Sequence, residues 1–107
     1  MILVQIGWAV NPFRGDKFAE GWRSAAEAVL DYGAISWGFY RAIDGRLDFI
    51  QEATFPSKAH FERYWYSETI ATKRVELQGY YNVPLLPKFF EIVGEGATLN
   101  LAQAEPL

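Results

Sequence analysis

Cysteine is absent from the sequence, and its 107 residues include a single histidine, His60. Without cysteine the chain can form no disulfide bond, thiolate nucleophile, cysteine-based zinc site or iron–sulfur cluster. One histidine is also too few for a histidine-rich metal centre within one chain. We therefore expect no metal site.

Positive charge and long apolar runs are also scarce. Ten Lys and Arg residues against 13 Asp and Glu residues give a net charge of −3, with no basic stripe. Nucleic acid is therefore not an expected partner, because its phosphates select proteins with clustered positive charge. No apolar run reaches the roughly 18–20 residues of a membrane span, and the N-terminus lacks the basic start of a signal peptide. These absences predict a soluble cytoplasmic protein with no membrane partner.

Aromatic residues, by contrast, are abundant. Eight Phe, six Tyr and four Trp make up 17% of the chain. A chain of this length is expected to form one domain over residues 1–107, with a C-terminal tail at 95–107. So many rings in so small a domain indicate an aromatic-lined cavity or an apolar partner surface.

The spacing of apolar residues predicts the order of the secondary structure. Period-two alternation predicts four strands, at residues 2–10, 34–42, 46–55 and 88–94, and a further short strand is expected at 97–101. Helical spacing predicts one helix over 16–32, and Ser57 and Ser67 are placed to cap two later helical segments, the second over 68–78. Asp44 and Gly45 predict a hairpin turn between the second and third strands.

The order β-α-β-β-α-β is that of the ferredoxin-like α+β fold, an antiparallel sheet with helices on one face. Two helices cover only one face of such a sheet. Large apolar residues are expected on both faces of the first strands, in particular Trp8, Trp37, Phe39 and Phe49. We therefore expect the uncovered face to pack against a second copy in a homodimer.

Residues 54–84, TFPSKAHFERYWYSETIATKRVELQGYYNVP, carry a resemblance to a known family. They resemble the dimeric α+β barrels, in particular the antibiotic-biosynthesis monooxygenase-like proteins, in having a strand-end aromatic, a Ser-x-x-x-aromatic helix and a second helix that contains Arg. The resemblance implies a dimeric α+β barrel with a cavity between helices and sheet. Its members include cofactor-free oxygenases, haem-degrading oxygenases, cyclases and isomerases, so the fold alone does not choose the chemistry.

The resemblance can be carried over residue by residue. Where the polyketide quinol oxygenases have a strand-end Trp and a helical Tyr, this chain has Phe55 and Phe61, while Arg74 resembles their Arg in position. The Asn, Trp and axial His of the haem-degrading members correspond to Gly7 or a neighbour, Tyr64 and Arg74. Because Arg cannot ligate haem iron in that way, the resemblance does not extend to haem, and no cofactor is expected.

These considerations give a candidate site and three functions. Arg74 and Tyr64 are the predicted catalytic residues, and the predicted substrate-binding residues are Trp37, Phe55, Phe61 and Trp65. We expect Arg74 to hold an anionic oxygen, although pairing with a carboxylate or snorkelling to the helix edge would also account for an arginine at this position. The functions are a cofactor-independent monooxygenase of a flat aromatic or polyketide-like molecule, a non-enzymatic dimeric ligand-binding or structural module, and a cyclase or isomerase.

Three other titratable residues are expected to be structural. Asp48 and Glu52 share a strand face that is predicted to be solvated, so they are not read as an acid–base pair. His60 falls in the first turn of a helix, where a partly exposed histidine is common, and a general-base role for it is the less favoured interpretation.

Overall fold

Four strands and three α-helices lie within residues 1–98, the part of the chain that the computed structural model describes. In chain order they are β1 (Ile2–Ala9), α1 (Gly15–Glu27), a 3-10 turn (Ala28–Tyr32), β2 (Ser36–Arg41), β3 (Asp48–Phe55), α2 (Lys58–Trp65), α3 (Glu68–Glu76) and β4 (Lys88–Glu91). Within these residues, no helix combines the length and the apolar character needed to cross a bilayer.

The elements agree with those expected from the sequence, apart from some ends. The helix expected over 16–32 tightens into the 3-10 turn for its last five residues, a common way for a helix to end, and Gly33 terminates it with φ 92°. The last strand stops at Glu91 rather than at residue 94. Residues 97–98 are not in a strand, and the rest of the strand expected at 97–101 lies outside the described residues.

The strands form one antiparallel sheet in the order β2-β3-β1-β4. The crossover from β1 to β2 skips one strand position, which β3 then fills. This is the ferredoxin-like topology, so the predicted fold class is confirmed.

The helices cover one face of the sheet, which we call the inner face. Its buried residues on β1 and β3 are Val4, Ile6, Trp8, Phe49, Gln51, Ala53 and Phe55. From α1, Phe18 and Trp22 insert their rings against Trp8 at centroid distances of 5.0 and 4.7 Å. Tilted aromatic contacts of this kind hold α1 against the centre of the sheet.

The expectation that Trp8, Phe39 and Phe49 need a second copy to cover them is wrong. All three lie on the inner face, where the ring of Phe18 contacts Phe49 at 5.1 Å and Phe39 at 5.9 Å. Trp37 is also on this face, half-buried against the core. The opposite, outer face is apolar through other residues, namely Leu3, Tyr40, Ile50 and Phe90, which are partly or largely exposed.

Serine caps fix where the two short helices begin. The Ser57 hydroxyl accepts the backbone N–H of His60, and the Ser67 hydroxyl accepts that of Ile70, so each helix has one of its free N–H groups satisfied. α2 and α3 are separate helices, divided by a break at Tyr66 and Ser67. This break brings the end of α2 next to the last turn of α3, where Arg74 lies.

Candidate functional site

A chain of buried hydrogen bonds crosses the space between the helices and the sheet. Trp22 Nε1 on α1 donates to Gln51 Oε1 at 2.8 Å, and Gln51 Nε2 on β3 donates to the hydroxyl of Tyr64 at 3.0 Å. The Tyr64 hydroxyl in turn donates to the carbonyl oxygen of Ala25 at 2.7 Å. Gln51 thus ties α1 to α2 through the centre of the molecule.

This arrangement determines what Tyr64 can do. Burial raises the pKa of its phenol well above the usual value, against the opposing effect of the Gln51 hydrogen bond. The hydroxyl is engaged both as donor and as acceptor, and the side chain is fully buried. Tyr64 is therefore held as a neutral hydrogen-bonding group, which is not the arrangement of a general base.

Next to this chain lies a narrow gap between packed side chains, an interior space of about 160 Å³. Its lining is mostly apolar, made by Val4, Ile6, Val29, Gln51, Ala53, Phe55, Phe61 and Tyr64. The space is too narrow to hold a water molecule. The rings of Phe55 and Phe61 meet edge to face at 5.8 Å. The structure thus brings together three of the six predicted site residues, Phe55, Phe61 and Tyr64.

Arg74 and Trp65 form a second group beside the first. The guanidinium of Arg74 lies 4.1 Å from the ring centroid of Trp65, and its Nη1 donates to the backbone oxygen of Trp65 at 2.7 Å. Trp65 stacks on Phe61 at 5.7 Å with an interplanar angle of 21°. The cation is thus next to the aromatic cluster but is not one of the residues that line the interior space.

The partner of Arg74 is a carbonyl oxygen at the end of α2 rather than the carboxylate considered from the sequence. A cation at the C-terminus of a helix satisfies a free carbonyl and interacts favourably with the helix dipole. Partial burial lowers the pKa of Arg74, and the nearby hydroxyls of Tyr81 and Tyr64 oppose this shift. A guanidinium nevertheless stays charged at any ordinary pH. Its bond to Trp65 uses one of five N–H donors.

Trp37 is placed apart from the other predicted site residues. It lies on the edge strand β2 and borders a groove shared with Tyr40, Glu52 and residues 95–97. It does not line the interior space. Within this groove Glu52 accepts a hydrogen bond from Gln5 Nε2 at 3.0 Å, so it is not a free carboxylate.

His60 lies in another surface cleft, with Asp31, Tyr32 and Arg63. Its Nδ1 is 2.7 Å from the hydroxyl of Ser57, so the ring takes part in the cap of α2. The residue is half-buried in the first turn, as the sequence indicated. Among residues 1–98, no three His, Asp or Glu side chains are grouped in a way that could hold a metal ion.

Gln51 is the residue of the site that sequence reasoning missed. The alternation of β3 places it on the same face as Phe49 and Phe55, and a lone amide in such a row is a recognisable signal of a buried hydrogen-bonded group. What the sequence does not supply is its partners, because Trp22 and Tyr64 lie 29 and 13 residues away in the chain.

Comparison with known proteins gives a structural likeness only. No protein-family model matches the chain, and neither does any curated protein sequence. A structure from Nitrosomonas europaea, provisionally named an antibiotic biosynthesis monooxygenase, aligns with a TM-score of 0.78 at 13% identity, covering 88% of this chain and all of that one.

Two further structures are similar. SnoaB from Streptomyces nogalater, described as a cofactor-independent oxygenase and solved as a point mutant, aligns with a TM-score of 0.74 at 12% identity, covering 88% of this chain and 94% of SnoaB. Rv0793 from Mycobacterium tuberculosis aligns with a TM-score of 0.74 at 12% identity, covering 90% and 98% of the two chains. The chain therefore has the ferredoxin-like fold of the antibiotic biosynthesis monooxygenases.

Proposed function

We propose that the protein is a cofactor-independent monooxygenase that acts on a flat aromatic molecule with one ionisable oxygen. The observation that carries this proposal is the aromatic cluster between helices and sheet, with a permanent cation stacked on its Trp65 ring. The shared fold with SnoaB, whose description names a cofactor-independent oxygenase, adds support. No side chain in this arrangement has to carry electrons, because the substrate itself can supply them.

The reaction can be written with anthrone, a three-ring ketone whose enol is a phenol. Loss of a proton gives an electron-rich anion that transfers electrons to dioxygen. The ring CH₂ group becomes a carbonyl that holds one oxygen atom, and the other oxygen atom leaves as water with the two hydrogens of that carbon. All four electrons that reduce dioxygen come from the ring, so the products are anthraquinone and water.

The protein would contribute binding, charge and exclusion of water. Arg74 stabilises the anion, because a charge-assisted hydrogen bond to a guanidinium is stronger than a neutral one. Phe55 and Phe61 contact the ring. In this proposal Tyr64 is a positioning residue rather than the catalytic residue predicted from the sequence, because its hydroxyl is bonded to Ala25 and Gln51. Ligand pockets typically measure about 300–1,000 Å³, so the interior space must widen when a substrate binds.

Oxygen uptake in the presence of anthrone tests this function. We expect the protein to accelerate uptake above the rate in buffer, with one dioxygen consumed for each anthraquinone formed. Anthraquinone is measured by absorbance and dioxygen with an electrode. Boiled protein is the control for trace metals. If the protein does not accelerate dioxygen uptake with anthrone or with related ring phenols, the proposed oxygenase activity is wrong.

One observation favours the second candidate, a non-enzymatic module that binds a small aromatic ligand. The two polar side chains that line the interior space, Gln51 and Tyr64, are engaged with each other and with the protein. A module of this kind would bind anthrone without consuming oxygen. The same engagement disfavours a cyclase or isomerase, which needs a group that can transfer a proton.

Replacing Arg74 by alanine is expected to have two effects. The loss of the bond to Trp65 O and of the contact with the Trp65 ring should lower the free energy of unfolding by about 1–3 kcal/mol. The loss of the cation should weaken the binding of a phenolate ligand by roughly 10- to 150-fold, equivalent to about 1.5–3 kcal/mol. Thermal melting and ligand titration measure the two effects separately.

Lys73→Ala is the matched control for this variant. Lys73 is the preceding residue on α3, and its pair with Glu76 at 3.5 Å is partly exposed, so we expect less than about 1 kcal/mol from its loss. Arg74→Lys should recover part of the binding, since the charge returns without the planar fork. Unchanged phenolate binding in Arg74→Ala, with a lower melting temperature, would make Arg74 a purely structural residue.

A further inference from the structure

Phe89 on β4 stands at the boundary between the aromatic cluster and solvent. It pairs with Val4 of β1, which places it on the inner face, yet 39% of the residue is exposed. Its ring meets Phe61 edge to face at 5.5 Å. On the solvent side, Lys58 Nζ lies 4.8 Å from the centroid of the same ring. Phe89 thus fills a slot between a wall of the interior space and an ammonium group.

The rings that line the interior space cannot leave their positions as easily as Phe89 can. Phe55 and Tyr64 are fully buried, and Phe61 is only 3% exposed. β4 is a four-residue edge strand that pairs with β1 in the described sheet. A partly exposed side chain on such a strand can change rotamer without opening the core, because one side of the side chain already faces water.

We propose that the slot now filled by Phe89 is the subsite that receives the aromatic ring of the ligand, and that the Lys58 ammonium at its exposed edge favours ligands that carry negative charge. The inference rests on the proposed function, which needs the interior space to widen. When Phe89 swings out, Phe61 offers the incoming ring the edge contact that it now makes to Phe89. Lys58 offers a point charge that attracts an anionic ligand to this exposed edge.

Two fluorescent probes with one ring system test the subsite. 1-Anilinonaphthalene-8-sulfonate carries a flat naphthalene ring and an anionic sulfonate, and N-phenyl-1-naphthylamine is the same molecule without the sulfonate. Phe89→Ala empties the slot, so both probes should bind about 3- to 10-fold more tightly, the gain that an aromatic contact supplies. Lys58→Met in the Phe89→Ala background should weaken only the anionic probe, by about 2- to 5-fold, as for an exposed charge pair.

Phe90→Ala is the matched control, because Phe90 is the next residue of the same strand, 42% exposed, and faces the outer side of the sheet. We expect it to leave both affinities unchanged. The subsite is wrong if Phe89→Ala and Phe90→Ala act alike, if emptying the slot gains no affinity, or if Lys58→Met weakens both probes equally. Far-UV circular dichroism of each variant ensures that folded protein is compared.

The result is separable from that of the oxygen-uptake test. If probe binding depends on Phe89 and Lys58 but the protein does not accelerate oxygen uptake, the subsite is supported and the proposed oxygenase activity is wrong. Oxygen uptake with a KM for anthrone that is unchanged in Phe89→Ala and in Lys58→Met would retain the oxygenase and overturn the subsite.

Discussion

Gln51→Leu is expected to lower the free energy of unfolding by about 2–5 kcal/mol, since each buried polar group left without a partner costs about 1–3 kcal/mol. Leucine has a similar volume but leaves the indole N–H of Trp22 without its acceptor and the hydroxyl of Tyr64 without its donor. Both groups are buried, so water cannot replace the amide. For a domain of this size the melting temperature should fall by roughly 10 °C or more.

Gln5→Leu is the control that isolates burial. Gln5 lies on β1 and donates to Glu52 at 3.0 Å, as Gln51 donates to Tyr64, but on the outer face, where it is half-buried. We expect Gln5→Leu to change the unfolding free energy by less than about 1 kcal/mol, because water can replace an exposed hydrogen bond. Urea denaturation measures both variants. If both variants lower the unfolding free energy by the same amount, the buried hydrogen bonds of Gln51 stabilise the protein no more than the half-buried one of Gln5.

The fold could be predicted from the sequence because its signals are local. The period-two alternation of the strands and the serine residues before α2 and α3 are short-range patterns that the backbone follows directly. Gly33 likewise ends the first helix in the left-handed conformation that glycine adopts without steric cost. Three site residues, Phe55, Phe61 and Tyr64, could be placed together because they lie within ten residues at a strand–helix junction.

The rest depends on contacts between distant parts of the chain. The alternation of a strand shows that two faces exist but not which one the helices cover. The sequence therefore predicted that Phe39 and Phe49 need a second copy to cover them, although the chain's own helices do so. Trp37 is separated from Phe61 because β2 is an edge strand, a fact that emerges only from the strand order. The partner of Arg74 is a backbone oxygen, a group that every residue has and that no sequence motif marks.

The outer face of the sheet remains the basis for the predicted homodimer. Leu3, Tyr40, Ile50 and Phe90 give it an apolar character, with exposed fractions of 56% for Tyr40, 41% for Ile50 and 42% for Phe90. An obligate interface on this face should bury upward of about 2,000 Å² in total. We expect wild-type protein to sediment as a dimer at micromolar concentration, with a melting temperature that rises with concentration, because folding and association are coupled.

Ile50→Asp tests this interface, because Ile50 faces outward from β3, whereas Trp37, which the sequence suggested for the interface, packs against the core of its own chain. A carboxylate buried without a partner costs several kcal/mol, so the dimer dissociation constant should rise about 100-fold or more. Ile43→Asp is the same change at the hairpin, where Ile43 is 87% exposed and outside the sheet, and it should leave the dimer intact. A folded Ile50→Asp monomer, or loss of folding in that variant alone, supports the interface. Monomeric wild-type protein, or dimers equally stable in both variants, would show that the outer face is not where two copies meet.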